Sequence, residues 1–464
     1  LELLPRQMSA SNHLGVGAQE RAPGEHVNNV TPGPADLISL DTPLDPLLFL
    51  GRLVDSYGDV VRYQTRFGPC LFFVHPKHVQ TILQRENYRR ASLVKMVLGD
   101  GLLASDGPRW KSQRRLMQRD FLPRNIAPFV SVMVRETTGN AHAWQAAAAA
   151  GTAADIATDM TRLTLQIVVK ALFSDNFSHE QSMALCAAVT QTINDLGMIS
   201  WTIFGMPVNI TPAGNARFLA AKNVIDGVSY DMITRRRSLA PKDRPRDLLT
   251  MLIEADIDGG PMNDRQLRDE IVTMLVGGHE TTALALAWAW KAIAENPEVE
   301  AKLHEELHVV LAGRPPTLAA LPNLRWTQAI FQEASRLYPP VWYMARVATE
   351  EDVIDGHTVP RGASVLVSAW FTHRHREFWR DAERFDPARF IDPAQPAHQY
   401  AYFPFGGGRH RCLGAHFALL EGVVILAQLA QEFRVRPIDG PGIRPHPGIT
   451  LRQSPGMCAH LEPR

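Results

Sequence analysis

The ten residues Phe405 to Gly414 read Phe-Gly-Gly-Gly-Arg-His-Arg-Cys-Leu-Gly, and an apolar helical run, Ala415 to Leu429, follows at once. Three glycines, one cysteine and a further glycine make a tight loop poor in side chains, with Cys412 at the entrance of the helix. Backbone N–H groups and the positive end of the helix dipole favour a thiolate at such a position. A thiolate on a glycine loop beside cationic side chains suits the axial position of haem iron. The glycines then leave room for a flat macrocycle against the backbone. Two other readings stay open on these residues alone. Cys412 is an inert core cysteine before a helix, or His410, Cys412 and His416 are metal ligands, although no CxxC or HxxxH pair adjoins them to complete a closed zinc site.

The loop resembles the haem-binding loop of the cytochrome P450 family, Phe-x-x-Gly-x-Arg-x-Cys-x-Gly. Phe405, Gly408, Cys412 and Gly414 fall on the pattern, and His410 stands at its basic position. The resemblance implies haem b (iron protoporphyrin IX) with Cys412 as the iron ligand, and Phe405, His410 and Gly414 around the cofactor. Histidine at the basic position can still hydrogen-bond a propionate, more weakly or with more dependence on pH than arginine.

Further stretches gain meaning beside the loop. Asp106-Gly107-Pro108 opens a helix that carries Trp110 and Arg114, spaced i, i+4 and hence on one face. In the family such a pair binds a haem propionate, a carboxylate that the rigid donor fork of arginine suits. Asn263 with Gln266 three residues on forms a capping box. From there to Asn296-Pro297 the helical pattern runs for about 32 residues, or about 48 Å. Its middle is apolar on nearly all sides, the mark of a buried spine. Inside lies Gly277-Gly278-His279-Glu280-Thr281-Thr282. Glycines and threonines cost stability in a helix interior, so this run predicts a local opening in the ladder; threonines bonded back to carbonyls are the plain alternative. Gly277, at i−4 from Thr281, leaves room beside the threonine hydroxyl. The run resembles the family's Ala/Gly-Gly-x-Asp/Glu-Thr-Thr/Ser motif, which implies that Thr281 hydrogen-bonds dioxygen and organises water while Glu280 relays protons.

Glu333 and Arg336 lie at i, i+3 in the helical stretch Trp326 to Tyr338, and a buried pair of this kind needs further partners. The resemblance assigns it to the family's Glu-x-x-Arg motif, with Arg384 as the third, structural member. Arg346 matches a further propionate contact. Family likeness also marks a pocket lining of Met96, Leu98, Ile203, Phe204, Gly277, Trp342 and Tyr343, although packing is the default role of each large residue. Lys111, Arg115, Arg119 and Arg124 form a basic run that is a solvated face or a docking patch for an acidic electron donor.

Other features bound the answer. The chain has 464 residues, 45% hydrophobic and 21% charged, with 48 basic against 48 acidic side chains. That balance gives no global pull toward nucleic acid or anionic membrane. Four scattered cysteines make no disulfide framework and predict a cytoplasmic protein. No run of about 18 apolar residues predicts a membrane span. Residues 1–30 read as a flexible lead-in and 31–464 as one cytochrome P450 domain, since motifs from Trp110 to Gly414 make sense only around one cofactor. Local expectations are a strand hairpin turning at Gly68-Pro69, an alanine-rich loop at Ala146 to Ala154, a lid at Met198 to Ile210, and a last hairpin at Gly448 to Leu461.

The expected fold is mainly α with a smaller β region around a buried haem. The expected activity is that of a monooxygenase acting on an apolar small molecule, with dioxygen as co-substrate. Electrons come from a separate ferredoxin-type donor, because the chain carries no flavin or iron–sulfur sequence. The alternatives are a peroxygenase fed by hydrogen peroxide, against which Glu280-Thr281 speaks, and a non-catalytic haem module that binds a ligand.

Overall fold

The long helix Asp264–Glu295 is the spine of the molecule, and its start is fixed as the sequence predicts. Asn263 accepts from the Gln266 N–H, and the Gln266 side chain accepts from the Asn263 N–H. Two orphan donors of the first turn are thereby satisfied. Residues Ile271 to Val276 and Thr282 to Ile293 are buried almost without a break, because other helices cover the spine on several sides. These are Ile156–Phe173, Pro212–Ser238, Arg325–Leu337 and Ala415–Glu432.

These contacts come from a computed structural model. The residues described are 31–34, 45–65, 68–90, 94–200, 211–257, 260–392, 396–438 and 442–464. The expected lead-in, 1–30, lies outside them, as does all of the expected lid from 201 to 210. Thr31–Arg464 forms one compact unit. Among the described residues no helix is long and apolar enough to cross a membrane.

The main sheet has five strands in the order Val60–Thr65, Gly68–Phe73, Ser364–Val367, Met344–Ala348, Tyr88–Arg90. Only the pairing of Gly68–Phe73 with Ser364–Val367 is parallel. Each face of this sheet has its own apolar cluster, one including Leu71, Phe73 and Val365, the other Phe72, Trp342 and Leu366. Alternating side chains therefore serve two cores, as a pleated strand covered on both faces requires. Phe433–Pro437, Cys458–Pro463 and Ala154–Asp155 form a second sheet, and Arg444–Pro447 pairs with Leu451–Ser454 as a hairpin.

Four local expectations need correction. Gly68 and Pro69 belong to the second strand, opposite Thr65 and Gln64, so they are not the turn of the hairpin. The alanine run is the end of the helix Val130–Ala150, which stops at Gly151 in the left-handed region (φ 63°). Alanine is the strongest helix former, and glycine the usual stop. The last hairpin begins earlier, at Arg444, and Cys458–Pro463 leaves it to join the second sheet. The spine runs as one continuous α-helix through Gly277 and Gly278, where the sequence predicts a local opening.

Candidate active site

The cysteine loop is held from behind. The Cys412 N–H donates to the Phe405 carbonyl at 2.9 Å, closing the loop on itself. Gly406 and Gly408 take positive φ values, 68° and 61°. A Cβ on Gly408 would lie 2.0 Å from the Leu83 carbonyl oxygen, and one on Gly407 would lie 2.4 Å from the Tyr400 ring. The glycines thus answer to backbone geometry and to the wall behind the loop, where the sequence had suggested the macrocycle face. Cys412 is open to a cavity of about 420 Å³ that it lines, and protein atoms surround it on its other sides.

Burial pushes the Cys412 thiol up, and the Gly414 N–H, Arg114 and Arg411 only partly oppose it. The expectation that the helix entrance alone favours a thiolate is therefore corrected: desolvation wins. A coordinating metal reverses this balance and deprotonates its thiol outright.

One cavity gathers most of the residues singled out in the sequence. Leu98, Trp110, Arg114, Gly277, Glu280, Thr281, Tyr343, Arg346, Phe405, His410, Cys412 and Gly414 all line it. Two others do not. Met96 packs against the core, since two residues along the one-turn helix Lys95–Leu98 is a rotation of about 200° and Leu98 takes the cavity side. Trp342 is fully buried in the sheet cluster and donates Nε1–H to the Gly448 carbonyl at 2.8 Å. Val341 and Tyr343 on either side of it line the cavity, and the Tyr343 ring also packs on that of Trp342 at 4.6 Å between centroids. Ile203 and Phe204 lie outside the described residues. Unforeseen lining comes from Val168, Ile193 and Met274. Apolar residues with core periodicity carry no sequence signal that separates cavity wall from core.

Positive charge collects at the mouth of the cysteine loop. Arg346 is buried, and among the described residues its side chain makes one hydrogen bond, to the neighbouring Ala345 carbonyl at 2.9 Å. Arg90, missed in the sequence, sits opposite it across the strand pair and spends its Nη groups on the Leu102, Leu103 and Ser105 carbonyls. Burial lowers both guanidiniums only to about 10, so both are charged at neutral pH. The His410 ring packs on the Trp110 ring at 4.3 Å between centroids, and neither ring nitrogen has a hydrogen-bond partner among the described residues. Burial and the nearby Arg90 pull His410 down to about 3, which leaves it neutral with one N–H to offer. Asp106 is the carboxylate near these groups, 3.5 Å from His410 Nε2. Arg114 donates to the Arg411 carbonyl at 2.9 Å. A soft sulfur ligand, apolar walls and buried donors in excess of acceptors fit a haem with its two carboxylates.

The spine supplies the opposite wall. A Cβ on Gly277 would meet nothing within 4 Å, whereas one on Gly278 would lie 2.9 Å from Val168 Cγ2. The first glycine keeps the cavity open and the second lets two helices touch. Thr281 donates its hydroxyl to the Gly277 carbonyl at 2.9 Å. Glu280 is 3% exposed, and its Oε1 accepts from the Thr450 hydroxyl at 3.0 Å and from Arg452 Nη2 at 2.5 Å.

Behind the cysteine helix, Arg336 makes two bonds to Glu333, at 2.6 and 2.8 Å, and both side chains are fully buried. Three carbonyls, of His373, Ala382 and Arg384, take its other N–H groups. The third side chain of this cluster is Arg389, 3.4 Å from Glu333. Arg384 contributes only its carbonyl and is itself exposed. The near-repeat Glu383-Arg384-Phe385 and Ala388-Arg389-Phe390 made the choice ambiguous; the turn of Pro387–Phe390 brings the later arginine inward.

The cytochrome P450 family model matches residues 37–459. Cyclooctatin synthase of Streptomyces melanosporofaciens is 34% identical, covering 94% of this chain and 96% of the relative. Cyclooctat-9-en-7-ol 5-monooxygenase of the same organism is 32% identical over 91% and 93%. Pentalenene oxygenase of Streptomyces avermitilis is 30% identical over 86% and 89%. With cysteine, threonine and basic residues meeting in one cavity and a family match over nearly the whole chain, the protein belongs to the cytochrome P450 family and is a haem-dependent monooxygenase.

Proposed function

We propose that this enzyme inserts one atom of dioxygen into an apolar, polycyclic terpenoid hydrocarbon or alcohol, using haem b and electrons from a separate ferredoxin and its reductase. The observation that carries the reading is the apolar cavity bounded by Cys412 on one side and the Gly277 to Thr281 wall on the other. Cyclic alkenes and alkenols appear in the names of the relatives, and such compounds suit walls built from Leu98, Val97, Ile193 and Met274.

Cys412 would hold the iron, and Arg346, His410, Trp110 and Arg114 would hold the carboxylates of the cofactor. Bound there, haem supplies the activation of dioxygen. The chain's own residues set what surrounds that chemistry. The missing side chain at Gly277 leaves space beside Thr281, whose hydroxyl can turn from the Gly277 carbonyl to a ligand or water. Glu280 lines the same space and holds a carboxylate where protons must pass. Apolar walls keep bulk water from the reacting carbon.

The basic residues Lys111, Arg115, Arg119 and Arg124 are exposed and form no ion pair among the described residues. They support a donor with an acidic face. Turnover driven by a ferredoxin, its reductase and NADPH, set against hydrogen peroxide alone, tests the reading. Product only with the electron chain supports it; product with peroxide at equal rate would move the assignment to a peroxygenase.

A further inference from the structure

We propose that Arg452 is a positioning residue for the active-site acid, pinning one oxygen of Glu280 so that the other faces the cavity in a fixed orientation. The inference rests on the reading of Glu280 as the proton-relaying group. Both protein bonds to the carboxylate go to Oε1, from Arg452 and from Thr450. Oε2 has no hydrogen-bond partner among the described residues, and Glu280 lines the cavity.

The clamp comes from a rigid support. Arg452 and Thr450 belong to the Arg444–Ser454 hairpin, which is fastened to the spine on both sides of Arg452. Trp288 Nε1 donates to the Leu451 carbonyl at 3.1 Å, and Gln453 Nε2 donates to the Ala287 carbonyl at 3.1 Å. The Leu451 N–H donates to the Pro340 carbonyl at 2.9 Å. A guanidinium on such a base is pre-organised, and pre-organised supports set the precision of a site.

Stability does not explain the arrangement well. Glu280 and Arg452 side chains are 4% and 18% exposed, so both ions are largely desolvated. Pairs of that kind commonly gain little over an apolar replacement. Arg452 also leaves its buried Nε without a partner among the described residues. A buried donor without an acceptor is a cost, which a functional role accounts for. The hairpin tip, Ile449 and Thr450, lines the cavity, so a substrate packed there touches the element that holds the acid.

In a productive cycle dioxygen, two electrons and two protons give an oxygenated product and water. When proton delivery fails, the same two electrons and two protons leave with dioxygen as hydrogen peroxide. The peroxide released per NADPH therefore reads the positioning of Glu280. The test uses the full haem-loaded enzyme with ferredoxin and reductase, with and without cyclooctat-9-en-7-ol as the probe. Arg452→Gln is expected to raise the peroxide fraction several-fold, Arg452→Lys to fall between it and the wild type, and Thr450→Val to act in the same direction. In the Glu280→Gln background, Arg452→Gln should add nothing. Thermal unfolding gives a readout apart from turnover: the loss in Tm of the double variant should be smaller than the sum of the single losses. An unchanged peroxide fraction in Arg452→Gln, or an equal increase in the Glu280→Gln background, would overturn the proposal. If Glu280→Gln itself keeps the wild-type fraction, the reading of Glu280 fails first. If Arg452→Gln does not fold, the lysine and Thr450 variants carry the same comparison.

Discussion

At Cys412 the fold acts against the charge that a ligand needs, since burial raises the thiol despite three opposing contacts. With Cys412 as the proposed iron ligand, the metal would commit the sulfur to the thiolate, and Cys412→Ala should abolish thiolate ligation and turnover together. Among the described residues the Thr281 hydroxyl is bonded only to the Gly277 carbonyl, a contact it can exchange. Thr281→Ala should keep the fold and raise peroxide release; unchanged coupling of NADPH to product would remove Thr281 from the mechanism. The two adjacent glycines of the spine should part company in thermal melts. Gly278→Ala must displace Val168 and is expected to cost about 1–3 kcal/mol. Gly277→Ala meets open space and gains up to about 1 kcal/mol of helix propensity, while taking room from the cavity. Equal Tm losses for the two would contradict this division. The motif residues were legible because their types are costly where they stand: a glycine pair in a buried helix, a lone cysteine after a glycine run. Arg90 and Arg452 were not, because a single arginine in a strand looks the same whether it faces solvent or a cavity.

Among the elements, the segment from Val94 to Ser105 is fastened to the spine by buried acids. Glu270 accepts from the Leu102 N–H at 3.0 Å and from Gln113 Nε2 at 2.5 Å, and Asp269 accepts from the Asp100 N–H at 2.9 Å. Burial raises Glu270 to about 7 from 4.5. The folded state then holds a proton that the unfolded chain has lost between about pH 4.5 and 7, so this group's contribution to stability falls as pH rises through that window. The full penalty above pH 7 is on the order of 3 kcal/mol. Glu270→Gln should flatten the dependence of Tm on pH between 5 and 8, and an unchanged slope would assign it to other groups. The Glu333–Arg336–Arg389 cluster carries a second prediction. Glu333→Ala strands a fully buried guanidinium and should cost about 3–5 kcal/mol in thermal or denaturant unfolding. Arg384→Ala, at an exposed side chain, should cost little, which separates the two arginines. Element type was readable wherever period and caps agreed, as at Asn263. It failed at the alanine run, where low complexity was taken for a loop although alanine favours helix, and at Gly68-Pro69, where a turn pair continues a strand.

Across the whole molecule, the cavity is built from residues as far apart as Arg90 and Thr450. Its chemistry could be recognised from a few motifs, because each lies in a short contiguous stretch. Its shape could not, because walls such as Val168, Ile193 and Ile449 come from separate helices and a hairpin whose meeting depends on tertiary packing. The same reasoning explains why Trp342 went astray: it shares one apolar cluster with Tyr343, but only Tyr343 reaches the cavity, and nothing in two adjacent aromatics tells which one does. The central claim, that Cys412 is the thiolate ligand of a haem in this cavity, is tested most directly by the absorption spectrum of the dithionite-reduced protein under carbon monoxide. A strongly red-shifted Soret band, absent in Cys412→Ala, is the predicted result. A band at the position typical of histidine-ligated haem, unaffected by that substitution, would contradict it.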